Sequence, residues 1–232
     1  MQPTEFSPRS KALEGARAHA NKAGNPAVLR SLSTENNLRL LGALLREYGC
    51  RSTLEVGLAF GASALLFTDH HRRLGHTAKS HVAIDPYETT TWGGVGLAQI
   101  EDAGLGTYLD FRPDPSAIVL PRLFGEGRRF DLIYVDGSHI FEDVFVDAYY
   151  GARLLNEGGI IAFDDCATSS VRKVLGFLRS NLREALGEVD LAIYRGNDWR
   201  YRVARWLGRT QMTAFRREGT VQRAYFARHH DF

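Results

Sequence analysis

Several features that would direct interpretation elsewhere are scarce or missing in this 232-residue sequence. Its two cysteines cannot form the disulfide framework of a small secreted domain. No run of about 18 apolar residues is present, so a membrane-spanning helix is not expected. The formal net charge of +2 is too small to indicate nucleic-acid binding by itself. The first residues lack the basic start and apolar core of a signal peptide, which favours a cytoplasmic location.

The composition is that of an ordinary globular protein, with 44% hydrophobic and 24% charged residues. A chain of this length and composition can bury a sizeable core without disulfides or structural metals. Residues 1–35 are polar and weakly periodic, and we interpret them as an N-terminal lead-in that could act as a lid. Residues 36–232 are expected to form one domain, with neither internal repeats nor low-complexity segments.

Short apolar runs alternate with segments of helical periodicity along most of this domain. The predicted strands are 53–56, 81–85, 108–112, 130–135, 160–163, 191–194 and 212–215. The predicted helices are 34–48, 64–75, 97–102, 116–125, 142–155 and 171–186. This alternation predicts right-handed βαβ crossovers and a mostly parallel, doubly wound, Rossmann-like α/β sheet.

A glycine-bearing turn follows the first predicted strand, in the sequence Glu55-Val-Gly57-Leu-Ala-Phe-Gly61-Ala-Ser63. Glycine lets the backbone approach a ligand closely, and the start of the next helix offers free N–H groups. The spacing differs from the Gly-x-Gly-x-x-Gly of dinucleotide-binding proteins. The Glu55 carboxylate is suited to a cationic, amine-bearing ligand, and Asp85 ends the second strand, where an acid characteristically binds ribose hydroxyls. The turn therefore favours a cofactor site, although plain turn chemistry remains the alternative.

Carboxylates also follow the fourth and fifth predicted strands. Asp136 ends one apolar run, and Asp164 with Asp165 ends the next. Because ligands of open α/β sheets bind past the carboxyl ends of the strands, these acids are expected at one rim, with His139 just beyond. Adjacent carboxylates need a compensating cation to remain ionised, and three of them suit Mg²⁺ better than zinc. The pattern predicts a metal site of Asp136, Asp164 and Asp165, with His139 as a general base.

Each of these residues also has a structural interpretation. The acids could cap turns or pair with Arg172 or Lys173, and His139 taken alone could be an ordinary surface residue. Their combination favours a functional site.

The successive segments resemble the motifs of class I S-adenosylmethionine (SAM)-dependent methyltransferases, in order, over residues 50–166. The motifs are Glu55-x-Gly57-x-x-x-Gly61-x-Ser63, Ile84-Asp85 and Asp131-Leu-Ile-Tyr-Val-Asp136. A second set more narrowly resembles the metal-dependent O-methyltransferases that modify macrolide sugars and related natural products. That set is Asp136-Gly-Ser-His139, Glu142-Asp-Val144, Leu154-Leu155, Gly158-Gly159 and Asp164-Asp165.

The resemblance implies a seven-stranded sheet with a final antiparallel strand, and SAM as the methyl donor. It implies that Glu55 and Gly57 lie near the methionine moiety, Asp85 on the ribose, and Asp114 with Ser116 near the adenine. The residues expected to bind SAM are Glu55, Gly57, Gly61, Ser63, Asp85, Asp114, Ser116 and Asp136.

The sequence thus predicts a Mg²⁺-dependent O-methyltransferase of natural-product biosynthesis that acts on a small sugar, polyol or catechol-like hydroxyl. Two alternatives keep the same pocket, namely an aminopropyl transferase and a non-catalytic SAM-binding scaffold. A third is a nucleic-acid-binding or nucleic-acid-modifying protein that uses the arginine-rich C-terminal region, with nine arginines between 195 and 228. The absence of an ordered basic-aromatic pattern weighs against nucleic acid. The same region could instead form contacts in a homo-oligomer.

Overall fold

The computed structural model describes residues 7–23, 33–195, 203, 206 and 210–232. Helices and strands alternate through most of this span. The helices are α1 (Pro8–Ala23), α2 (Glu35–Glu47), α3 (Ala62–Arg73), α4 (Val95–Asp102), α5 (Ser116–Gly125), α6 (Phe141–Leu154) and α7 (Ser169–Asn181). The strands are β1 (Thr53–Val56), β2 (His81–Ile84), β3 (Leu109–Arg112), β4 (Phe130–Val135), β5 (Leu155–Phe163), β6 (Leu186–Glu188) and β7 (Thr213–Arg217). Two 3-10 helices span Gly106–Tyr108 and Leu191–Arg195.

One seven-stranded sheet has the order β3-β2-β1-β4-β5-β7-β6. Strands β1 to β5 are parallel, whereas β7 runs antiparallel to both of its neighbours, β5 and β6. The predicted Rossmann-like sheet with a final antiparallel strand is therefore confirmed. The direction of winding reverses between β1 and β4, and ligands of such sheets bind beyond the strand ends at this switch point.

Helices cover both faces of the sheet, and the alternation of side chains along each strand decides which face a residue joins. Leu54 and Val56 are buried with residues of α5, α6 and α7. Leu132 and Tyr134 are buried on the opposite face with residues of α2 and α3. Each large apolar side chain buried in this way contributes about 1.5–3 kcal/mol relative to exposure. Among the described residues, no helix is long and apolar enough to cross a membrane.

Helix α2 begins at a residue that the sequence marks clearly. The Thr34 side chain caps it by accepting a hydrogen bond from the Asn37 backbone N–H at 3.2 Å. Leu38, Leu41 and Leu45 then recur at helical spacing and are buried against the sheet. Asn37 lies on the same buried side, so this helix carries a polar group towards the sheet as well as apolar ones.

Two predictions near the C-terminus are wrong. Helix α7 ends at Asn181, five residues earlier than expected, and the segment 191–194 is part of a 3-10 helix. The sixth strand is β6, which forms because it can pair antiparallel with β7. Leu191 and Ala192 instead join the apolar cluster that contains α2 residues. Packing against a helix thus buries the apolar pair that suggested a strand.

The lead-in and the arginine-rich region are described only in part. Residues 1–6 and 24–32, and most of 196–209, lie outside the described residues. Helix α1 packs against α3 and α4, with Ala12 and Ala16 fully buried. Of the arginines, Arg216 and Arg217 donate to backbone carbonyls of the β5 segment. The lid and the nucleic-acid surface therefore stay predictions.

Candidate functional site

A cavity of about 680 Å³ opens at the carboxyl ends of β1, β2, β4 and β5. Its volume lies in the usual range for small-molecule sites. Several loops and helix ends bound it, and their lining residues include Gly57, Asp85, Ser116, Asp136 and Asp165. The sheet topology therefore brings together segments that are more than 100 positions apart in the chain.

The turn after β1 packs directly against the loop after β4. Gly57 has a φ of 97°, and a Cβ atom there would collide with the backbone carbonyl of Asp136. Only glycine combines this conformation with so close an approach. Gly61, with a φ of 78°, precedes α3 and packs against Gly96, while Ser63 borders the cavity.

Asp85 holds this turn in place. One carboxylate oxygen accepts hydrogen bonds from the backbone N–H groups of Leu58 and Ala59, both at 3.0 Å. The other accepts from the Tyr87 N–H at 2.8 Å. Because a carboxylate offers about four acceptor positions, Asp85 keeps capacity for a ligand hydroxyl. It borders the cavity, as the predicted ribose contact requires.

Glu55 lies elsewhere, contrary to its expected contact with SAM. Its side chain is fully buried on the face covered by α3, where Oε1 is 3.0 Å from His81 Nε2. Hydrogen bonds continue from His81 to Thr53 at 2.9 Å and from Thr53 to His71 at 2.8 Å. Burial, followed by the neighbouring His81, lowers the pKa of His71 to about 3. We call these four residues the buried histidine chain.

Asp114 is also outside the cavity, whereas its neighbour Ser116 borders it. The Asp114 carboxylate is about half exposed and lies 3.3 Å from Nη1 of Arg122, in the last turn of α5. Pro115 is the N-cap of α5 and Ser116 is its first residue, whereas Asp114 lies in the preceding loop. Only Ser116 is placed for the predicted adenine contact.

Three titratable side chains converge at the other end of the cavity. Asp136, His139 and Asp165 each offer a ligand atom, and the three atoms lie within 4.8 Å of one another. Asp165 has a φ of 48°, a left-handed conformation that Asp tolerates better than most residues. Its Oδ2 lies 2.8 Å from His139 Nε2. The loop that carries His139 is fixed by Ser170, whose hydroxyl donates to the His139 carbonyl at 2.5 Å.

Asp164 borders the cavity from below and is surrounded by donors. Its Oδ2 accepts from the Tyr134 hydroxyl at 2.5 Å and from Asn37 Nδ2 at 2.6 Å. Its Oδ1 accepts from Gln211 Nε2 at 2.9 Å, and the same amide lies 2.6 Å from Asp165 Oδ1. The two acids are therefore bound by these groups and His139 rather than paired with the basic residues of α7.

Sequence reasoning missed four residues of this network, namely Ser33, Asn37, Tyr134 and Gln211. Ser33 reaches Asp136 at 3.4 Å. Two of them leave a weak signal in the sequence. Tyr134 is a polar-tipped residue in an apolar strand, and Asn37 stands one turn before Leu41 on the buried side of α2. No motif marks the others, because their contacts join distant parts of the chain.

The acids are not equally stable as anions. Burial, together with the charge of Asp164, holds the pKa of Asp136 well above its ordinary value, and burial also raises the pKa of Asp164. The hydrogen bond between Asp165 and His139 raises the pKa of the imidazole and lowers the pKa of the carboxyl. The ligand atoms that converge are those of Asp136, His139 and Asp165, so the structure brings the predicted base into this group and does not include Asp164 in it. A divalent cation would stabilise the ionised acids, and their carboxylate oxygens suit a hard ion such as Mg²⁺.

Comparison with known proteins relates this chain to methyltransferases. Residues 54–166 match the family model described as a methyltransferase domain. A caffeoyl-CoA O-methyltransferase of Petroselinum crispum is 29% identical over 153 residues, which cover 62% of this chain and 57% of that protein. Caffeoyl-CoA O-methyltransferase 1 of Eucalyptus globulus is 29% identical over 136 residues, 55% of this chain and 49% of that protein. The chain thus matches about half the length of these curated relatives.

Solved structures support the fold. The O-methyltransferase TomG of Streptomyces achromogenes, in complex with SAM, superposes with a TM-score of 0.62 at 18% identity. That match covers 82% of this chain and 84% of TomG. An O-methyltransferase of Bacillus cereus in complex with SAH has a TM-score of 0.62 at 17% identity, over 82% and 84% of the two chains.

Proposed function

We propose that this protein is a SAM-dependent O-methyltransferase that acts on a small molecule, because residues 54–166 match the family model described as a methyltransferase domain. One observation carries the proposal, which is the convergence of Asp136, His139 and Asp165 at one end of the cavity. Asp85 and the glycine turn occupy the same cavity. A nucleoside-binding half and a proton-accepting half therefore share one enclosed space.

The residues of the first half are suited to SAM, which supplies an electrophilic methyl group on its sulfonium. Asp85 accepts the ribose hydroxyls with the capacity that its three amide contacts leave free. Ser116 and Ala117 border the adenine end. Gly57 lets the turn after β1 pack directly against the backbone of the Asp136 loop, which brings the two segments together at the cavity.

His139 is the proposed general base. Its Nε2 faces Asp165, so Nδ1 is the ring nitrogen left to accept a proton from the acceptor hydroxyl. Asp165 orients the imidazole and stabilises its protonated form, as a carboxylate does for a histidine base in other enzymes. A base placed in this way typically contributes about 10²–10⁴-fold to the rate.

The proposed metal is Mg²⁺, held by Asp136, Asp164 and Asp165. When bound, it would orient oxygen ligands and favour the ionised form of a hydroxyl. Burial first, and then the neighbouring carboxylates, raise the pKa values of Asp136 and Asp164, and a cation bound there would offset both effects. Three carboxylates would leave further positions for two neighbouring hydroxyls of a sugar, polyol or catechol-like acceptor.

The acceptor would enter past the exposed side chains of the cavity lining, which include Tyr87 and Ile140. Tyr87 and Ile140 are 62% and 61% exposed there, which gives the opening an apolar edge. Such an edge suits a ring or an aliphatic body that presents its hydroxyls inward. Both cysteines are buried and free, which is compatible with the proposed cytoplasmic role in natural-product biosynthesis.

The decisive experiment is a calorimetric titration of Mg²⁺ into metal-free protein saturated with S-adenosylhomocysteine (SAH). We expect one binding site, no measurable binding in Asp164→Ala, and unchanged binding in Asp114→Ala, a matched acid outside the cavity. A screen of vicinal diols and catechols with radiolabelled SAM should then show methylation that requires Mg²⁺. Absence of Mg²⁺ binding while SAH still binds would reject the metal and leave His139 as an unassisted base.

A further inference from the structure

Tyr134 places a hydroxyl group in an otherwise apolar layer. The residue lies on β4 and is fully buried, with Leu132 and Phe67 in the same apolar cluster. A buried phenol costs free energy unless its hydroxyl forms a hydrogen bond, so a phenylalanine would be the cheaper residue here. The contacts of the hydroxyl should therefore explain why a tyrosine is present at this position.

Its contacts are the two acids that follow adjacent strands. The Tyr134 oxygen lies 3.0 Å from Asp136 Oδ2 and 2.5 Å from Asp164 Oδ2. Asp136 follows β4 and Asp164 follows β5, so one hydroxyl spans the space between the two strand ends. Asn37 Nδ2 donates to the same Asp164 oxygen at 2.6 Å, but from the other side of the layer, on α2.

We propose that Tyr134 is a positioning residue that sets the separation between the Asp136 and Asp164 carboxylates, so that both can hold one divalent cation. This inference rests on the proposed metal dependence. Two carboxylates repel each other at short range, and the single hydrogen of the Tyr134 hydroxyl, which is donated to one carboxylate at a time, reduces that repulsion. The rigid ring, fixed within the sheet, gives this partner a constant position.

The geometry of Mg²⁺ makes the separation important. Mg²⁺ requires nearly ideal octahedral geometry at about 2.0–2.1 Å, whereas Ca²⁺ accepts variable geometry at about 2.3–2.6 Å. Loss of the hydroxyl should therefore weaken Mg²⁺ binding more than Ca²⁺ binding. A residue that only stabilises the fold would not change this ratio.

The test uses Tyr134→Phe, which removes one oxygen atom and keeps the ring. Mg²⁺ and Ca²⁺ are titrated separately into metal-free, SAH-saturated protein. We expect a loss of about 10–100-fold in Mg²⁺ affinity, the range found when groups behind metal ligands are removed, and a smaller loss for Ca²⁺. SAH affinity should stay within about 2-fold, because Tyr134 does not border the cavity. Tyr150→Phe, on α6 among the rings of Phe124 and Tyr149, is the matched control and should bind both ions normally.

Asn37→Ala separates positioning from simple hydrogen bonding. Asn37 shares the Asp164 contact but has no hydrogen bond to Asp136 among the described residues. A larger Mg²⁺ defect in Tyr134→Phe than in Asn37→Ala supports the inference, and equal defects overturn it. Normal Mg²⁺ binding in Tyr134→Phe overturns it while the proposed function stands. If the unmodified protein binds no Mg²⁺, the metal and this inference fail together.

Discussion

The rim of the sheet and its interior each contain linked titratable side chains, and the two groups differ in what surrounds them. At the rim, Asp136, His139 and Asp165 face a cavity, and the contact between His139 and Asp165 favours the charged forms of these two residues. In the interior, the buried histidine chain lies between strands and α3, where His71 is held neutral. Similar residue types therefore face a cavity in one place and form internal hydrogen bonds in the other.

The difference follows from the position of each group along its strand. The rim residues lie in the short loops that directly follow β4 and β5, before the next helices begin. The interior residues stand within β1, β2 and α3, where burial penalises a charge. Location relative to the strand end, rather than residue type, is the better guide to a reactive group in this fold.

The largest expected effect separates the two groups by activity. His139→Ala should lower kcat by about 10²–10⁴-fold, because the proposed base is lost, while SAH affinity and melting temperature change little. His71→Gln should instead lower the melting temperature and keep the kcat of the folded protein. Steady-state kinetics together with thermal unfolding of both variants checks this contrast, which fails if His139→Ala retains most of its turnover.

A second test asks whether Asp85 belongs to the reactive rim. Asp85→Asn replaces a charged acceptor of three N–H groups by an amide, which should weaken SAH binding by about 10–100-fold, or about 1.5–3 kcal/mol. Calorimetry of SAH binding measures the change. Asp102→Asn, at the exposed end of α4, is the control and should bind SAH normally. Equal affinities of the two variants would assign Asp85 to the turn alone.

The interior group can be tested through the pH dependence of stability. His71 has a folded pKa of about 3, below the ordinary 6.5, so the unfolded state binds more protons between these pH values. The contribution of His71 to the free energy of unfolding therefore falls as the pH falls from 6.5, by at most about 1.4 kcal/mol per pH unit. Glu88, with a pKa raised to about 7 by burial, acts in the opposite direction from pH 4.5 to 7.

Because the effects of His71 and Glu88 on stability overlap in pH, the contribution of His71 must be obtained by comparing a His71 variant with the unmodified protein at each pH. The free energy of unfolding of His71→Gln should approach that of the unmodified protein as the pH is lowered from 7 to 5. Urea unfolding at each pH measures the difference. His229→Gln, at an exposed site, should show no such trend. A constant difference across this range would mean that His71 is not held neutral.

The smallest effect concerns an acid at the correct end of the sheet but outside the cavity. Asp114→Ala should change SAH affinity by less than about 2-fold, because its exposed pair with Arg122 is worth about 0–1 kcal/mol at most. Fluorescence or calorimetric titration would detect a larger change. Ser116→Ala is the informative partner, since Ser116 borders the cavity. A strong defect in Asp114→Ala alone would restore the predicted adenine contact.

Much of this architecture could be predicted because strand and helix signals are local. Strand β1 has the predicted limits, and Asp136, His139 and Asp165 converge as the rule for strand ends requires. Glu55 was misplaced because a parallel strand buried on both faces shows no alternation that tells its two sides apart. The partners Asn37 and Gln211 lie 127 and 47 positions from Asp164, and such pairings depend on how helices and strands pack.

The position of β7 has a consequence for the order in which the protein is made. β7 lies between β5 and β6, so β6 leaves the ribosome before the strand that joins it to the sheet exists. Until residues 213–217 are synthesised, β5 presents an unpaired edge to other nascent chains. Gln211, which binds both rim acids, arrives in the same late segment. The rim network is therefore completed only after all five parallel strands have been synthesised.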